Sequence, residues 1–498
     1  MSSTSTTTTT RIGGSNQPTH ILMFPYPAQG HMLAFLDLTH HLALQDFMIT
    51  IITTPKNHKI LGPLLSAHPA TIHTLVFPFP SYANLSSGVE NIMDIGGPGN
   101  IAMMNALSKL KEPIVQWFHS HPNPPVALIS DFFLGWTLQL ANQINIPRIS
   151  FSSIAALQFS ILDKCWSVLS LVRETSPSVV DFPNIPGSPS FRVELMPSVF
   201  RRCRESNPET DFIKDFLATN ISSWGIVINT FEGFEGDYLR YLKNRAGHHR
   251  VYGVGPLNLL GTKKRHVLEN NRDSADVLAW LDSCPDDSVL YVCFGSQKLL
   301  NRQQMVALAA GLERSGVRFL WVVKTGTAEE AAEGYGEVPD GFEEKVGNRG
   351  LVVKGWASQL LILNHRAVGG FLNHCGWNSM LEASGAGVTR ILGWPMEADQ
   401  HVNAKLLVEL RGVVKRVCEG GEAVPDPDEL AKEIAELMKG DAPERMRAKE
   451  WGEKALAAVS AGGSSLRDLD ELVRELRQLP RPKPAVAHEG VNGNTAAQ

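Results

Sequence analysis

Short apolar runs alternate with longer amphipathic stretches over most of the chain, and this alternation limits the fold more than any other feature. Short apolar runs bounded by turn residues are typical of buried parallel strands. The stretches between them, of which residues 32–43 and 100–119 are the clearest, have helical spacing. Strands that alternate with helices predict parallel sheets with crossover helices. The predicted strands are residues 20–24, 48–53, 71–77, 126–130, 148–151, 225–229, 251–254, 289–294, 318–323, 351–354, 369–373, 390–392 and 413–417.

A polar stretch without periodicity, residues 258–274, interrupts the alternation once. The chain has 498 residues, whereas a single hydrophobic core stops growing at about 250–300 residues. We therefore predict an α/β fold with two doubly wound domains joined by this stretch. The predicted organisation is a disordered leader (1–17), an N-terminal domain (18–257), a linker (258–274), a C-terminal domain (275–455), a helix that packs back on the N-terminal domain (456–479) and a disordered tail (480–498).

Composition and charge exclude several classes of protein. The formal net charge is −5 and no dense Lys/Arg stripe is present, which argues against a nucleic-acid partner. The six cysteines have no CxxC spacing and are interpreted as reduced thiols. No apolar run reaches the roughly 18 residues that a membrane span needs, and residues 1–17 lack the apolar segment of a secretory signal. We expect a cytoplasmic monomer without a membrane span.

His31 lies just beyond the first predicted strand, after the turn FPYPAQG and at the start of a helix. In doubly wound sheets, ligands bind beyond the carboxyl ends of the strands. A histidine at this place can act as a general base, because its reference pKa lies near working pH. A histidine that caps the helix explains the position equally well. The turn lacks the GxGxxG pattern of a dinucleotide loop, which argues against an NAD-dependent oxidoreductase.

Asp131 directly follows the predicted strand at 126–130. A carboxylate at the end of a strand can hydrogen-bond an imidazole, fix its tautomer and stabilise the imidazolium. An aspartate is also a favoured N-cap of the following helix, and position alone favours the capping role. Both roles stay open at this point.

The most specific pattern lies at residues 356–400, WASQLLILNHRAVGGFLNHCGWNSMLEASGAGVTRILGWPMEADQ. HCGWNS, a following glutamate, and then WP and ADQ resemble the plant secondary product glycosyltransferase box of the family 1 UDP-dependent glycosyltransferases of plants. FPYPAQGH, ISDFFLGW, INTFEGFEG and YVCFGS extend the resemblance over about residues 18–480. It implies the GT-B fold, in which two Rossmann-like domains face a central cleft. It also implies an inverting sugar transfer that uses no metal and no other cofactor.

The resemblance implies donor contacts throughout the box. Trp356 is the stacking platform for uracil, with Ala357 beside it. Gln359 and Glu382 bind the ribose, since a carboxylate can accept from two hydroxyls. The implied donor-binding residues are Ser153, Ser296, Trp356, Ala357, Gln359, His374, Trp377, Asn378, Ser379, Glu382, Asp399 and Gln400.

The implied diphosphate contacts are His374, Asn378, Ser379 and Ser296. The first three surround the start of a predicted helix, where free backbone N–H groups and the helix dipole attract anions. These groups would stabilise the charge of the leaving UDP in place of a metal ion.

The implied sugar contacts are Trp377, Asp399 and Gln400. In the resembling family a terminal glutamine accompanies glucose, and an amide can bridge two adjacent hydroxyls because it both donates and accepts. Ser153, beyond the predicted strand at 148–151, is a further implied contact, although a buried capping serine is nearly as good an explanation.

The resemblance further implies that His31 deprotonates the acceptor and that Asp131 orients His31. The expected reaction moves glucose from UDP-glucose to a small hydroxylated aromatic acceptor, since the sequence is similar to a branch that glucosylates flavonols and dihydroxybenzoates. Aromatic residues that could line the acceptor pocket, for which core packing is an equally good explanation, are Phe132, Phe133, Trp136 and Phe159.

The segment GAGVTRILGWP, residues 385–395, has one residue more than the family pattern, and Arg390 is interpreted as the extra one. An insertion in a strand reverses the side-chain direction unless a bulge absorbs it, and a buried charge is costly unless it is paired. We expect a bulge near residues 389–392 that leaves Gln400, and not His401, at the sugar. The alternative function is a non-catalytic sugar-nucleotide-binding protein disabled by this insertion.

Overall fold

The computed structural model describes residues 17–95, 97–260, 275–440 and 442–482. The predicted leader before Gln17, the predicted linker after residue 260 and the predicted tail after residue 482 lie outside the described residues. Two parallel sheets with helices around them form the described chain. The predicted α/β class with two Rossmann-like units is thereby confirmed.

The strands of both sheets start and end within about two residues of their predicted limits, because each is a buried apolar run. The strands are β1 (His20–Phe24), β2 (Met48–Thr53), β3 (Ile72–Val76), β4 (Ala127–Asp131), β5 (Arg148–Ser152), β6 (Val179–Asp181), β7 (Ser190–Arg192), β8 (Gly225–Ile228), β9 (Val251–Gly253), β10 (Val289–Cys293), β11 (Arg318–Val323), β12 (Gly350–Lys354), β13 (Val368–Asn373), β14 (Arg390–Gly393) and β15 (Lys415–Arg416).

The first sheet has the order β3-β2-β1-β4-β5-β8-β9 and the second has the order β12-β11-β10-β13-β14-β15. All neighbouring strands in both sheets are parallel. The strand order reverses beside β1 in one sheet and beside β10 in the other, and such switch points are where ligands bind in α/β folds. β6 and β7 pair as a separate antiparallel ribbon, which the sequence pattern did not indicate because each strand has three residues.

Helices connect these strands and cover the sheets. They are α1 (Gln29–Ala43), α2 (Pro55–His58), α3 (Gly62–Ala67), α4 (Asn100–Ser108), α5 (Lys111–Ser120), α6 (Thr137–Gln143), α7 (Ala156–Thr175), α8 (Ser198–Arg202), α9 (Pro208–Ala218), α10 (Glu232–Ala246), α11 (Ala275–Asp282), α12 (Arg302–Ser315), α13 (Ala328–Ala332), α14 (Phe342–Val346), α15 (Gln359–Leu363), α16 (Trp377–Gly385), α17 (Gln400–Ala404), α18 (Pro427–Lys439), α19 (Pro443–Val459) and α20 (Ser464–Gln478). Among the described residues, no helix is both long and apolar enough to cross a bilayer.

Two sequence-based expectations about local structure are wrong. Residues 100–119 form two helices, α4 and α5, because Pro113 has no N–H and its ring clashes with the carbonyl four residues earlier, so a continuous helix is excluded. The bulge expected near residues 389–392 is absent from β14. This strand pairs with β13 in unbroken register from Gly370–Arg390 to Asn373–Gly393, so the side-chain direction runs uninterrupted to the segment that carries Gln400.

The last described helix, α20, lies on the first sheet although it follows the second in the chain. Leu469, Leu472, Val473 and Leu476 are buried in the same core as strands β1 and β2. Asp468 accepts a hydrogen bond from the Gly253 N–H at 2.7 Å. This helix therefore ties the end of the second half to the first half.

Candidate active site

The carboxyl ends of both sheets border one cavity of about 530 Å³. Its walls include the segments that follow β1, β4, β5, β10, β11, β12, β13 and β14. The cavity brings together residues that are far apart in sequence. Predicted site residues in its wall are His31, Ser153, Ser296, Trp356, Ala357, Gln359, His374, Trp377, Asn378, Ser379, Glu382, Asp399 and Gln400.

His31 and Asp131 form a hydrogen-bonded pair at the edge of this cavity. His31 Nδ1 lies 2.9 Å from Asp131 Oδ2, and their side chains are 16% and 0% exposed. Since a carboxylate only accepts, Nδ1 carries the ring proton and Nε2 is left to take another. α1 has no side-chain cap, so the capping role of His31 is wrong. Asp131 has both proposed roles, because its Oδ1 accepts from the Phe133 N–H at 2.9 Å.

Aromatic side chains surround the His31 ring. Phe132 stacks on it with centroids 5.4 Å apart, and Phe133 and Tyr26 lie at 4.8 and 5.3 Å. Phe132 and Phe133 also line the cavity, so part of the predicted aromatic wall is present.

Trp136 and Phe159 do not line the cavity, and core packing explains both. Trp136 is 2% exposed and meets Phe24 edge to face, while Phe159 is 3% exposed in the same core. Of the two explanations that the sequence left open for these residues, core packing is the one that holds, since aromatic type alone does not separate core from pocket.

Arg148, at the start of β5, is a buried cation behind Asp131 that was not singled out from the sequence. It donates to the Asp131 carbonyl at 3.2 Å, to Ser130 at 2.9 Å, and to Asn220 and Ser223 at 2.7 Å. Burial lowers its pKa to about 9, so the guanidinium stays protonated at neutral pH. The sequence signal that could have identified Arg148 is a charged residue at the first position of an otherwise apolar strand.

The start of α16 offers free backbone donors to the cavity. Gly376 is its N-cap and no side chain caps the helix, so its first N–H groups have no intrahelical partner. Beside them, burial lowers the pKa of His374 to about 4, and the ring is neutral at working pH. A Cβ on Gly295 or Gly376 would come within 2.7 or 2.5 Å of His374 Nε2, so both positions require glycine. This end of the cavity suits a diphosphate.

A half-exposed Trp356 and a polar pair, Gln359 and Glu382, form another part of the cavity wall. The indole of Trp356 is 49% exposed although it borders the cavity. Gln359 Nε2 donates to Glu382 at 2.7 Å and to the Ser379 hydroxyl at 3.1 Å. These contacts hold the Glu382 carboxylate in place in the cavity wall, where the implied ribose contact would lie.

Two box residues contact the first domain through side chains that were expected to bind the donor. The indole N–H of Trp377 donates to the Asn229 carbonyl at 2.7 Å, so it cannot donate to a sugar hydroxyl. Asn378 Nδ2 donates to the Gly30 carbonyl at 2.6 Å, and its oxygen accepts from Asn229 at 3.4 Å. The predicted sugar contact of Trp377 is therefore left to its backbone N–H and not to its indole N–H. The backbone N–H groups of both residues belong to the uncapped start of α16.

Gln400 lies in the cavity wall, and only one of the two polar groups of its side-chain amide is available to a ligand. Its side-chain oxygen accepts from the N–H groups of Met396 and Glu397, both at 2.9 Å, so only its NH2 group is left for a ligand. The expectation that this amide both donates to and accepts from the sugar is wrong. His401 is not in the cavity wall, and its Nε2 lies 3.2 Å from the Met396 carbonyl oxygen.

Asp399, the neighbour of Gln400, is a buried carboxylate in the cavity wall. Burial raises its pKa, while a hydrogen bond from Asn403 Nδ2 at 2.7 Å acts in the opposite direction. Arg390 lies at the other end of β14, where it donates to the Gly369 carbonyl at 3.4 Å and faces Asp287 at 3.7 Å. The charged residue in this strand is thus paired, at the edge of the sheet that faces away from the cavity.

Known proteins resemble the chain in sequence and structure. Residues 260–419 match the family described as UDP-glucoronosyl and UDP-glucosyl transferase. UDP-glycosyltransferase 89A2 of Arabidopsis thaliana is 51% identical, over 93% of this chain and 97% of that protein. Flavonol 3-O-glucosyltransferase UGT89B1 of the same plant is 45% identical, over 91% and 96%. The crystal structure of Arabidopsis thaliana UGT89C1 with UDP-L-rhamnose has a TM-score of 0.76 at 37% identity, over 93% of this chain and 100% of that one.

The two parallel sheets, the cavity between their carboxyl ends and these similarities define a glycosyltransferase of the GT-B fold. The chain belongs to the plant family 1 UDP-glycosyltransferases, and within them it is related to the flavonol glycosyltransferase branch.

Proposed function

We propose that this chain transfers glucose from UDP-glucose to a hydroxyl of a small phenolic acceptor, such as a flavonoid or a hydroxybenzoate, with inversion at the anomeric carbon. One observation carries the proposal. The His31–Asp131 pair, 2.9 Å apart, borders the same cavity as the uncapped start of α16. A base and an anion-binding helix end in one cavity are what a direct displacement of UDP requires.

The proposed mechanism is a single displacement. His31 Nε2 takes the proton of the acceptor hydroxyl, and Asp131 stabilises the imidazolium that forms. The acceptor oxygen bonds to the anomeric carbon from the face opposite UDP, and the bond from that carbon to the diphosphate oxygen breaks. UDP leaves with the electron pair. Its charge is stabilised by the first N–H groups of α16, by neutral His374 and by Ser379. No step requires a metal ion or another cofactor.

Glucose is proposed as the donor sugar on the basis of two polar groups at the end of the box. The free NH2 group of Gln400 can donate to one sugar hydroxyl, and the Asp399 carboxylate beside it can accept from another. The name of UGT89B1 supports glucose. The structure of UGT89C1 was solved with UDP-L-rhamnose. Rhamnose is therefore the alternative donor sugar with which glucose must be compared.

A phenolic acceptor is proposed because the wall beside His31 is aromatic. Phe132 and Phe133 can stack on or meet the edge of a flat ring. UGT89B1 is named for flavonols, and UGT89C1 has also been solved with quercetin. The alternative of a non-catalytic binding protein has no support in these similarities, and Arg390 lies at the far end of β14. We further propose that the enzyme acts in the cytoplasm as a monomer, where its free cysteines stay reduced.

A matrix of donors and acceptors tests the proposal. UDP-glucose, UDP-galactose and UDP-L-rhamnose are each combined with quercetin, dihydroxybenzoate and an aliphatic alcohol, and the initial rate of UDP release is measured. We expect the highest kcat/KM for UDP-glucose with a phenolic acceptor. Preference for UDP-L-rhamnose would overturn the donor, and preference for the aliphatic alcohol would overturn the acceptor class.

A further inference from the structure

Gln158 lies in the wall of the catalytic cavity, on the side of the first domain, and the proposed mechanism gives it no role. It is the third residue of α7. Leu162, one turn further along the same helical face, and Ile154, just before the helix, line the cavity as well. An amide thus interrupts an otherwise apolar strip of the wall.

The amide of Gln158 is buried and incompletely bonded. The residue is 3% exposed, and its side-chain oxygen has no hydrogen-bond partner among the described residues. A buried amide oxygen without a partner destabilises the folded state, and buried polar groups in native proteins are paired in the great majority. A partner that enters the cavity with a ligand would satisfy it.

The position of Gln158 is fixed by a buried carboxylate at the start of α7. The two oxygens of Glu235 accept from the Ala156 N–H at 2.9 Å and from the Leu157 N–H at 2.8 Å. Thr230 donates to the same carboxylate at 2.6 Å. The first turn of α7 is therefore held rigidly, and Gln158 meets a ligand without rearrangement of its backbone.

The side-chain amide of Gln158 differs from the rest of the wall on the acceptor side, because the residues around it are mainly apolar. Phe132, Phe133 and Val199 add apolar surface to the same wall. Asn100 is another amide there, but its oxygen already accepts from the Tyr26 hydroxyl at 2.6 Å. A polar group in an apolar pocket determines which ligand oxygens are tolerated, because each one left unpaired costs affinity.

We infer that the Gln158 side-chain oxygen accepts a hydrogen bond from a second hydroxyl of the acceptor, away from the one that receives the sugar. The enzyme then selects polyhydroxylated over monohydroxylated phenolics. This inference rests on the proposed function, and it names Gln158 as a specificity-determining residue.

The test compares acceptors that differ in their additional hydroxyls. Wild type, Gln158→Met and Gln143→Met are assayed with quercetin and with 3-hydroxyflavone and 7-hydroxyflavone, which have one hydroxyl each. Methionine matches the shape of glutamine without its polar group, and Gln143 is an exposed control at the end of α6. We expect Gln158→Met to lose about 10- to 100-fold in kcat/KM for quercetin, mainly through KM. The monohydroxyflavones should react as well as with wild type or better.

A second measurement separates this role from a structural one. Because Gln158→Met removes an unpaired buried oxygen, its melting temperature should equal or exceed that of wild type, and its affinity for UDP should be unchanged. Equal losses for quercetin and the monohydroxyflavones, no loss for quercetin, or a lowered melting temperature would each overturn the inference. If wild type transfers sugar to no phenolic, the proposed function is wrong as well. Turnover without a change of preference in Gln158→Met overturns the Gln158 role alone.

Discussion

Replacing Asp131 with asparagine should remove most of the catalysis and leave the fold in place. Asp131 Oδ1 accepts from the Phe133 N–H and Oδ2 faces His31 Nδ1, each at 2.9 Å. In Asp131→Asn the amide oxygen has to keep the Phe133 contact, because an N–H needs an acceptor. The NH2 group then faces His31 and donates to Nδ1, so the ring proton moves to Nε2.

The expected loss follows from this change of tautomer. A neutral histidine that carries its proton on Nε2 cannot take the proton of the acceptor hydroxyl at that atom. The variant therefore loses the contribution of a general base, about 10²–10⁴-fold in kcat, or about 3–5 kcal/mol. UDP affinity should not change, because Asp131 lies behind His31 and outside the cavity wall.

The assay is the initial rate of UDP release with saturating donor and quercetin, together with calorimetric titration of UDP and a circular dichroism spectrum. Asp211→Asn is the matched control, since Asp211 lies outside the cavity wall, where it pairs with Arg173 at 3.2 Å and accepts from the Ser206 hydroxyl at 2.6 Å, and its kcat should match that of wild type. A kcat for Asp131→Asn within about threefold of wild type would show that His31 does not depend on Asp131, and the assignment of the pair would be wrong.

Three further predictions concern the donor site and stability. Gln400→Glu keeps an oxygen for the Met396 and Glu397 N–H groups but loses the NH2 donor, so any preference for UDP-glucose over UDP-galactose should fall about tenfold. His401→Ala should keep this preference. A preference lost in His401→Ala and kept in Gln400→Glu would contradict the placement of Gln400. Turnover should survive excess EDTA, whereas loss restored by Mg²⁺ would contradict the role of α16. Burial lowers the pKa of His20 to about 4 in the folded state, whereas in the unfolded state it is about 6.5. As the pH falls from about 6.5 towards 4, the unfolded state therefore binds a proton that the folded state does not. The free energy of unfolding should fall by about 3 kcal/mol over this range. In urea unfolding, the advantage of wild type over His20→Asn should therefore shrink as the pH falls, and a constant difference would refute this origin.

The strands and the shared edge of the site could be predicted because both depend on local pattern. A buried parallel strand is an apolar run with polar turns at its ends, so β1, β2 and β11 have their predicted limits. The carboxyl ends of parallel strands meet at one edge, which allows His31 and Asp131 to pair, but it was the family resemblance that implied that Asp131 orients His31. The family resemblance placed the donor box at the second sheet.

The hydrogen-bond partners of individual side chains could not be predicted, because they come from the other domain or from folded backbone. The indole of Trp377 and the amide of Asn378 bond to Asn229 and Gly30, more than a hundred residues away. The Gln400 oxygen is occupied by N–H groups that only a turn brings within reach. The sequence states the residue type at such positions but not which of its atoms remain free.

The stereochemistry of the product is the sharpest test of a single displacement activated by His31. UDP-glucose carries its glucose in an α linkage, and a single displacement in which His31 activates the acceptor turns it into a β-glucoside. Wild type and His31→Ala are incubated with UDP-glucose and quercetin, and the anomeric proton of the product is examined by NMR. We expect a β-glucoside from wild type and a loss of about 10²–10⁴-fold in its rate of formation with His31→Ala. An α-glucoside, or β-glucoside formed at an undiminished rate by His31→Ala, would contradict a single displacement in which His31 is the base.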